Sequence, residues 1–249
     1  MAQHEHVLPN ALAIPALNKL AGKRIILASA SPRRQEILKT FGLVPEIVPS
    51  TFPETLPLSS FENIYEYPVA TATEKAVEVY EKLLAANPED PPELVIGADT
   101  VVLSHYTPPI SGTSTSLHWE TPEPELLEKP GSKEDNLRML LDLNGKACEV
   151  VTGVSVVYPI LMAPGYAIKS IDERTLVHFA ESPKEVLKAY ADSGEGIDRA
   201  GGFAAQGMGG HLIRKYDGDF WNVVGFPAAS FFKLIAVLIE DEDDFLTIE

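Results

Sequence analysis

Arg33 and Arg34 stand side by side in Arg24–Leu38, "RIILASASPRRQEIL". They follow Ser31–Pro32, a pair that reads as an N-cap with proline at the first helical position. Positive charge in a first helical turn opposes the macrodipole by roughly 0.3–1 kcal/mol per residue. The chain carries a formal net charge of −16, yet it puts two cations where an anion belongs. Free N–H groups at a helix start point outward, two serine hydroxyls can donate, and guanidinium groups grip phosphate oxygens bidentately. The competing reading is a capped helix whose arginines pair with surface carboxylates.

A second constellation is "GADT", Gly97–Thr100, at the polar break of the apolar run Glu93–Leu103. A carboxylate there is costly unless it is paired or binds metal. Asp99 could hold Mg²⁺ or take a proton from water, and its small neighbours let a ligand approach the backbone. The plainer reading is an Asp capping a turn at a strand end. Lys75 and Lys129 fall on a helix and just before one, where a lone lysine is ordinarily a solvated charge. The stretch Gly194–Gly210 is glycine-dense around Glu195, Asp198, Arg199 and Gln206, which by itself indicates only irregular backbone. His105, His118, His178 and His211 show no metal-ligand spacing. No Walker A pattern occurs, and no GxGxxG follows a strand.

The elements that must position these residues alternate. Short strands are expected at 24–28 and 45–50, and a buried one at 93–103. Two more strand-like runs follow, at 148–158 and 167–181, the second read as a solvent-facing hairpin arm, and another at 211–216. Helices are expected from Pro32 to Gly42, over 69–86, over 133–143, after an N-cap at Ser182 up to Gly194, and from Pro227 to about Glu240. This alternation predicts an α/β fold with one central mixed sheet flanked by helices. Residues 1–22 read as an extension and 23–240 as one domain. A Ser/Thr/Pro-rich insertion interrupts it at about 104–126, and 241–249 reads as a solvated acidic tail.

Apolar residues make up 45% of the 249, enough for a sizeable core. The acidic balance argues against nucleic acid and anionic membranes as partners. Cys148 is the only cysteine, so a reducing compartment is expected. The opening segment shows no secretory signal, which points to the cytoplasm.

Taken in order, "LASASPRRQEIL", "PSTFPETL", "ATEKA", "VIGADTVV", "EKP", "LNGKACEVVTGV", "YADSGEGIDRAGGFAAQG" and "GDFWNVVGFP" resemble the Maf family of nucleoside triphosphate pyrophosphatases. The resemblance covers roughly Ile25 to Phe231. It implies an inosine-triphosphatase-like fold with an active-site cleft. It also implies hydrolysis of a nucleoside triphosphate at the α-phosphate with Mg²⁺ or Mn²⁺, and a homodimer. Carried over by position, Asp99 is the proton acceptor and a metal ligand, and Glu54 in "PETL" is its partner carboxylate at the metal. Ser29, Arg33, Arg34, Lys75 and Lys129 are the phosphate grip, and Gln206 approaches the base. Arg33, Thr100 and Gln206 match the relatives that act on dTTP and UTP, with modified pyrimidine nucleotides as further candidates. Two positions depart from the family: Cys148 stands where histidine is frequent, and Arg199 where lysine is usual. The alternative from another class is a nucleotide-binding regulator of cell division without turnover, which could dispense with Asp99 and Glu54.

Overall fold

The computed structural model describes residues 4–104 and 124–247. Its elements in chain order are α1 (Pro15–Leu20), β1 (Ile25–Leu27), α2 (Pro32–Thr40), β2 (Glu46–Ile47), α3 (Glu66–Ala86), β3 (Leu94–Ser104), β4 (Glu125–Leu127), α4 (Lys133–Leu143), β5 (Ala147–Pro159), β6 (Tyr166–Phe179), α5 (Lys184–Ser193), β7 (Ile213–Asp217), α6 (Phe220–Val224) and α7 (Ala228–Asp241). They fall into two compact units. The first holds residues 1–100, 152–173 and 220–249, and the second 101–151 and 174–219. The chain passes between them within β3, β5 and β6.

In the first unit the strand order is β2-β1-β3-β5-β6, with β1 parallel to both β2 and β3. Alternate residues of the central strands feed two separate cores, because a strand turns successive side chains to opposite faces. Ile25, Leu27, Leu94, Ile96, Ala98, Val154, Val156 and Tyr158 join α1, α2 and α7 on one face. Ile26, Ala28, Val95 and Val157 meet Ala76, Val79 and Tyr80 of α3 on the other. Burial on both faces explains why "ELVIGADTVVL" reads as a continuous apolar run rather than an alternating one.

Two glycines let α3 lie close on this sheet. A Cβ on Gly97 would sit 2.1 Å from the Ala72 carbonyl oxygen, and one on Gly153 would sit 2.5 Å from the backbone of Pro68. Any side chain there would push α3, and the residues it carries, off the strands.

The second unit orders β4-β3-β5-β6-β7, with β4 antiparallel to β3 (Val102 opposite Leu127) and β7 antiparallel to β6 (Leu176 opposite Asp217). Helices α4 and α5 pack together beside it. Ser132 caps α4 by accepting the Asp135 N–H at 3.1 Å.

Several sequence expectations are corrected. Within the segment read as an extension, α1 packs on α7 and buries Ala16, Leu17 and Leu20 in the core. The acidic tail is not simply solvated. Phe245 and Leu246 are buried, and Glu242 pairs with Lys169 at 2.7 Å while accepting the Tyr158 hydroxyl. Of the expected insertion, Glu125 and Leu126 belong to β4, paired with β3, and 105–123 lie outside the described residues. The N-cap of α5 is Pro183, not Ser182. The Ser182 backbone is instead bracketed by the Asn144 amide, with bonds of 2.8 and 3.0 Å. Gly194 does end that helix, at φ 76°. Among the described residues no helix is long and apolar enough to cross a membrane.

Candidate functional site

The site of the first unit is built at the end of β3, where neighbours Asp99 and Thr100 are met from different helices. Val95, Gly97 and Asp99 alternate toward α3, whose Ala72, Lys75, Ala76 and Val79 face the strand. Lys75 is therefore not a solvated charge. It is 6% exposed, and its ammonium donates to Asp99 Oδ1 at 2.8 Å and to the Glu54 carboxylate. Asp99 is itself only 7% exposed, while the Glu54 side chain, on the loop after β2, is half exposed. An ammonium has three protons, and these two bonds use two of them.

Arg34 comes from α2. Its guanidinium donates to Thr100 Oγ1 at 3.1 Å, Ser29 Oγ at 3.0 Å and the Gly225 carbonyl at 3.0 Å. All three acceptors are neutral. Burial lowers its pKa, partly offset by the negative charges of Asp99 and Glu54. The sequence placed Ser31 as N-cap of α2, and the backbone agrees, but its side chain makes no capping bond. Ser29 Oγ instead accepts the Ser31 N–H at 3.3 Å as well as Arg34, and it keeps its own proton to donate. Thr100 Oγ1 also shares a proton with Thr152 at 3.0 Å. Arg33 occupies the second position of α2.

The structure thus brings together Ser29, Arg34, Glu54, Lys75, Asp99 and Thr100. Lys129 and Gln206 belong to the second unit, and both are exposed. Lys129 borders a cavity of about 490 Å³ together with Glu128, Asp135, Arg138 and Lys146. The Gln206 segment is tied down on either side. Asn136 donates to the Gly202 carbonyl at 2.7 Å, and Glu195 accepts the N–H groups of Met208 and Gly209 at 3.2 and 3.0 Å. Arg199 donates to the Glu195 carbonyl at 2.8 Å. Cys148 is fully buried, and burial pushes its thiol up to about 12. Phe203 packs on Phe179 within the second unit, whereas Phe220 and Trp221 border the core of the first.

Sequence reasoning missed the Gly225 carbonyl and Thr152, since a backbone acceptor and a strand threonine carry no local signal. It also missed Glu78 on α3, which accepts hydrogen bonds from Ser50, Thr51 and Phe52.

Among the described residues no group of three or more His, Cys, Asp or Glu forms a ready-made metal cage. Two carboxylates gathered on one cation nonetheless suit a hard ion, since Mg²⁺ is commonly held by one or two carboxylates and completed by water and substrate phosphates. These features define an α/β protein whose strand end gathers carboxylates and cations, a chemistry matched to a polyanion with a divalent ion. The chain belongs to the Maf-like protein family, whose model matches residues 24–238.

Similar proteins carry consistent names. The chain is 42% identical over 230 residues to the human "Probable bifunctional dTTP/UTP pyrophosphatase/methyltransferase protein", an alignment covering 90% of this chain and 33% of the human protein. It therefore spans about a third of that relative's length. It is 39% identical over 231 residues to the "dTTP/UTP pyrophosphatase" of Schizosaccharomyces pombe, covering 90% of this chain and 88% of the relative. With the "dTTP/UTP pyrophosphatase" of Thermococcus kodakarensis the identity is 36% over 210 residues, covering 84% and 94%.

Proposed function

We propose that this protein hydrolyses dTTP and UTP to the nucleoside monophosphate and pyrophosphate. The observation that carries the reading is the pairing at the end of β3. Asp99 is held by the Lys75 ammonium, and the Arg34 guanidinium is bonded to three neutral oxygens. A cation buried on neutral acceptors keeps its charge for an incoming anion, which supports reading Arg34 as part of a phosphate grip. The names of the relatives supply the substrate class.

In this reading water attacks the α-phosphorus, and Asp99 takes its proton as the bond to the bridging oxygen breaks and pyrophosphate leaves. Lys75 fixes the Asp99 carboxylate and offers its third proton to the phosphate chain. Ser29, Arg33, Arg34 and Lys129 contribute the rest of the grip. Thr100 acts through Arg34, whose guanidinium it helps to hold, and Arg33, Thr100 and Gln206 set the preference for dTTP and UTP. Glu54 and Asp99 would hold Mg²⁺ or Mn²⁺, which would supply charge neutralisation on the phosphate oxygens. The homodimer belongs to the same reading through the family resemblance.

The test is a panel of nucleoside triphosphates with Mg²⁺ or Mn²⁺, scoring pyrophosphate against orthophosphate. Pyrophosphate release strongest with dTTP and UTP is expected, and Asp99→Asn should still bind nucleotide while losing turnover. Orthophosphate as the sole product, or full activity in Asp99→Asn, would refute it.

A further inference from the structure

Glu54 sits on an irregular loop and is half exposed, yet the proposed chemistry needs it fixed beside Asp99. Neighbours must supply the ordering of that loop, and three residues of α3 anchor it. Tyr67 donates its hydroxyl to the Glu54 carbonyl at 3.2 Å. Lys75 holds the Glu54 carboxylate. Glu78, three residues beyond Lys75, closes its carboxylate over the start of the loop. It accepts the backbone N–H of Thr51 at 2.9 Å and of Phe52 at 3.1 Å, together with the hydroxyls of Ser50 and Thr51. Ser50 Oγ in turn accepts the Phe52 N–H at 3.0 Å.

From this geometry we infer that Glu78 is a positioning residue for the hydrolytic site: its carboxylate clamps Ser50–Phe52 so that Glu54 arrives at the Lys75–Asp99 pair already ordered. The inference rests on the reading given under Proposed function, in which Glu54 serves the metal and substrate. Four donors on one carboxylate exceed what an ordinary surface glutamate collects. They also hold its carboxyl below the usual range: burial alone would raise it, and the hydrogen bonds from Ser50, Thr51 and Phe52 outweigh that. Because Tyr67, Lys75 and Glu78 share one rigid helix, the loop is referenced to the same element that Gly97 and Gly153 seat on the sheet. Glu54 and Asp99 thereby share a common frame, and a misplacement of about 1 Å in such a frame can cost on the order of 100-fold in rate.

The experiment compares wild type, Glu78→Gln and Glu78→Ala in the full chain. It measures kcat and KM for dTTP, the Mn²⁺ concentration for half-maximal activity, Mn²⁺ binding without nucleotide, and amide exchange at Thr51 and Phe52. Expected for Glu78→Ala is a fall in kcat of roughly 10- to 100-fold, with KM moving less, weaker Mn²⁺ binding and lost protection of both amides. Glu78→Gln keeps one accepting oxygen and should fall between. Should Glu78→Ala fail to fold, the doublet Ser50→Ala/Thr51→Val on the loop side removes both hydroxyl donors and should shift the same readouts in the same direction. A variant that loses only thermal stability, with kcat, Mn²⁺ response and amide protection unchanged, overturns this inference and leaves the proposed activity standing. A wild-type protein inert toward every triphosphate overturns the activity, and with it the role assigned to Glu78.

Discussion

Replacing Lys75 by Met removes the charge at the centre of the site while keeping an unbranched apolar side chain in its place. The cost follows from exposure. The side chains of Lys75 and Asp99 are 8% and 10% exposed and meet at 2.8 Å. At an effective dielectric of 20 their gross attraction is about 6 kcal/mol, most of it spent on desolvating the two groups. Removing one partner strands the other, and for buried pairs that costs about 3–5 kcal/mol. The Glu54 contact weighs much less: its side chain is 50% exposed, and exposed pairs contribute about 0–1 kcal/mol. For a chain of this length each kcal/mol moves Tm by about 2–4 °C, so Lys75→Met should melt roughly 6–20 °C below wild type. Calorimetry at pH 7 on wild type, Lys75→Met, Asp99→Asn and the double variant forms the assay. The double variant should recover at least about 2 kcal/mol relative to the sum of the singles, since no buried charge is then left alone. A Tm within about 2 °C of wild type for Lys75→Met, or strict additivity of the two changes, would refute the argument that this pair is buried and coupled.

Phe245 is 1% exposed and meets Tyr158 edge-on with ring centroids 5.0 Å apart. Phe245→Ala should therefore cost about 3–5 kcal/mol in denaturant unfolding, where a solvated tail would lose nothing. Cys148, with its thiol pushed up to about 12, exposes about one thiolate in 10⁴ at pH 8. Mass spectrometry should find native protein unlabelled by iodoacetamide under conditions that label the denatured chain fully, with activity unaffected.

Some of this was legible in one dimension because it depends on local patterning. Helix α4 covers the 133–143 expected of it, Gly194 ends α5, and the apolar run around Gly97 announced a buried strand. Asp99 and the Arg33–Arg34 pair stood out for a related reason: each violates a local preference, a carboxylate in an apolar strand and cations at a helix start. The short elements escaped. Strand β4 has three residues, α1 six and α6 five, and segments so short owe their form to the neighbours they pack on rather than to their own periodicity. The tail looked solvated because its composition is acidic, but Phe245 and Leu246 find an apolar surface contributed by residues far away in the chain.

What the sequence determined by itself was therefore the alternation of strands and helices and the residue types able to handle a polyanion. What only the tertiary structure decided was pairing. Lys75 joins Asp99 across 24 positions and Arg34 joins the Gly225 carbonyl across 191, while Glu78 grips a loop that nothing in its own helix foretells. Hydrogen bonds and ion pairs act over about 3 Å, a scale on which position along the chain carries no information until the sheet and its glycine-seated helix have brought the partners together.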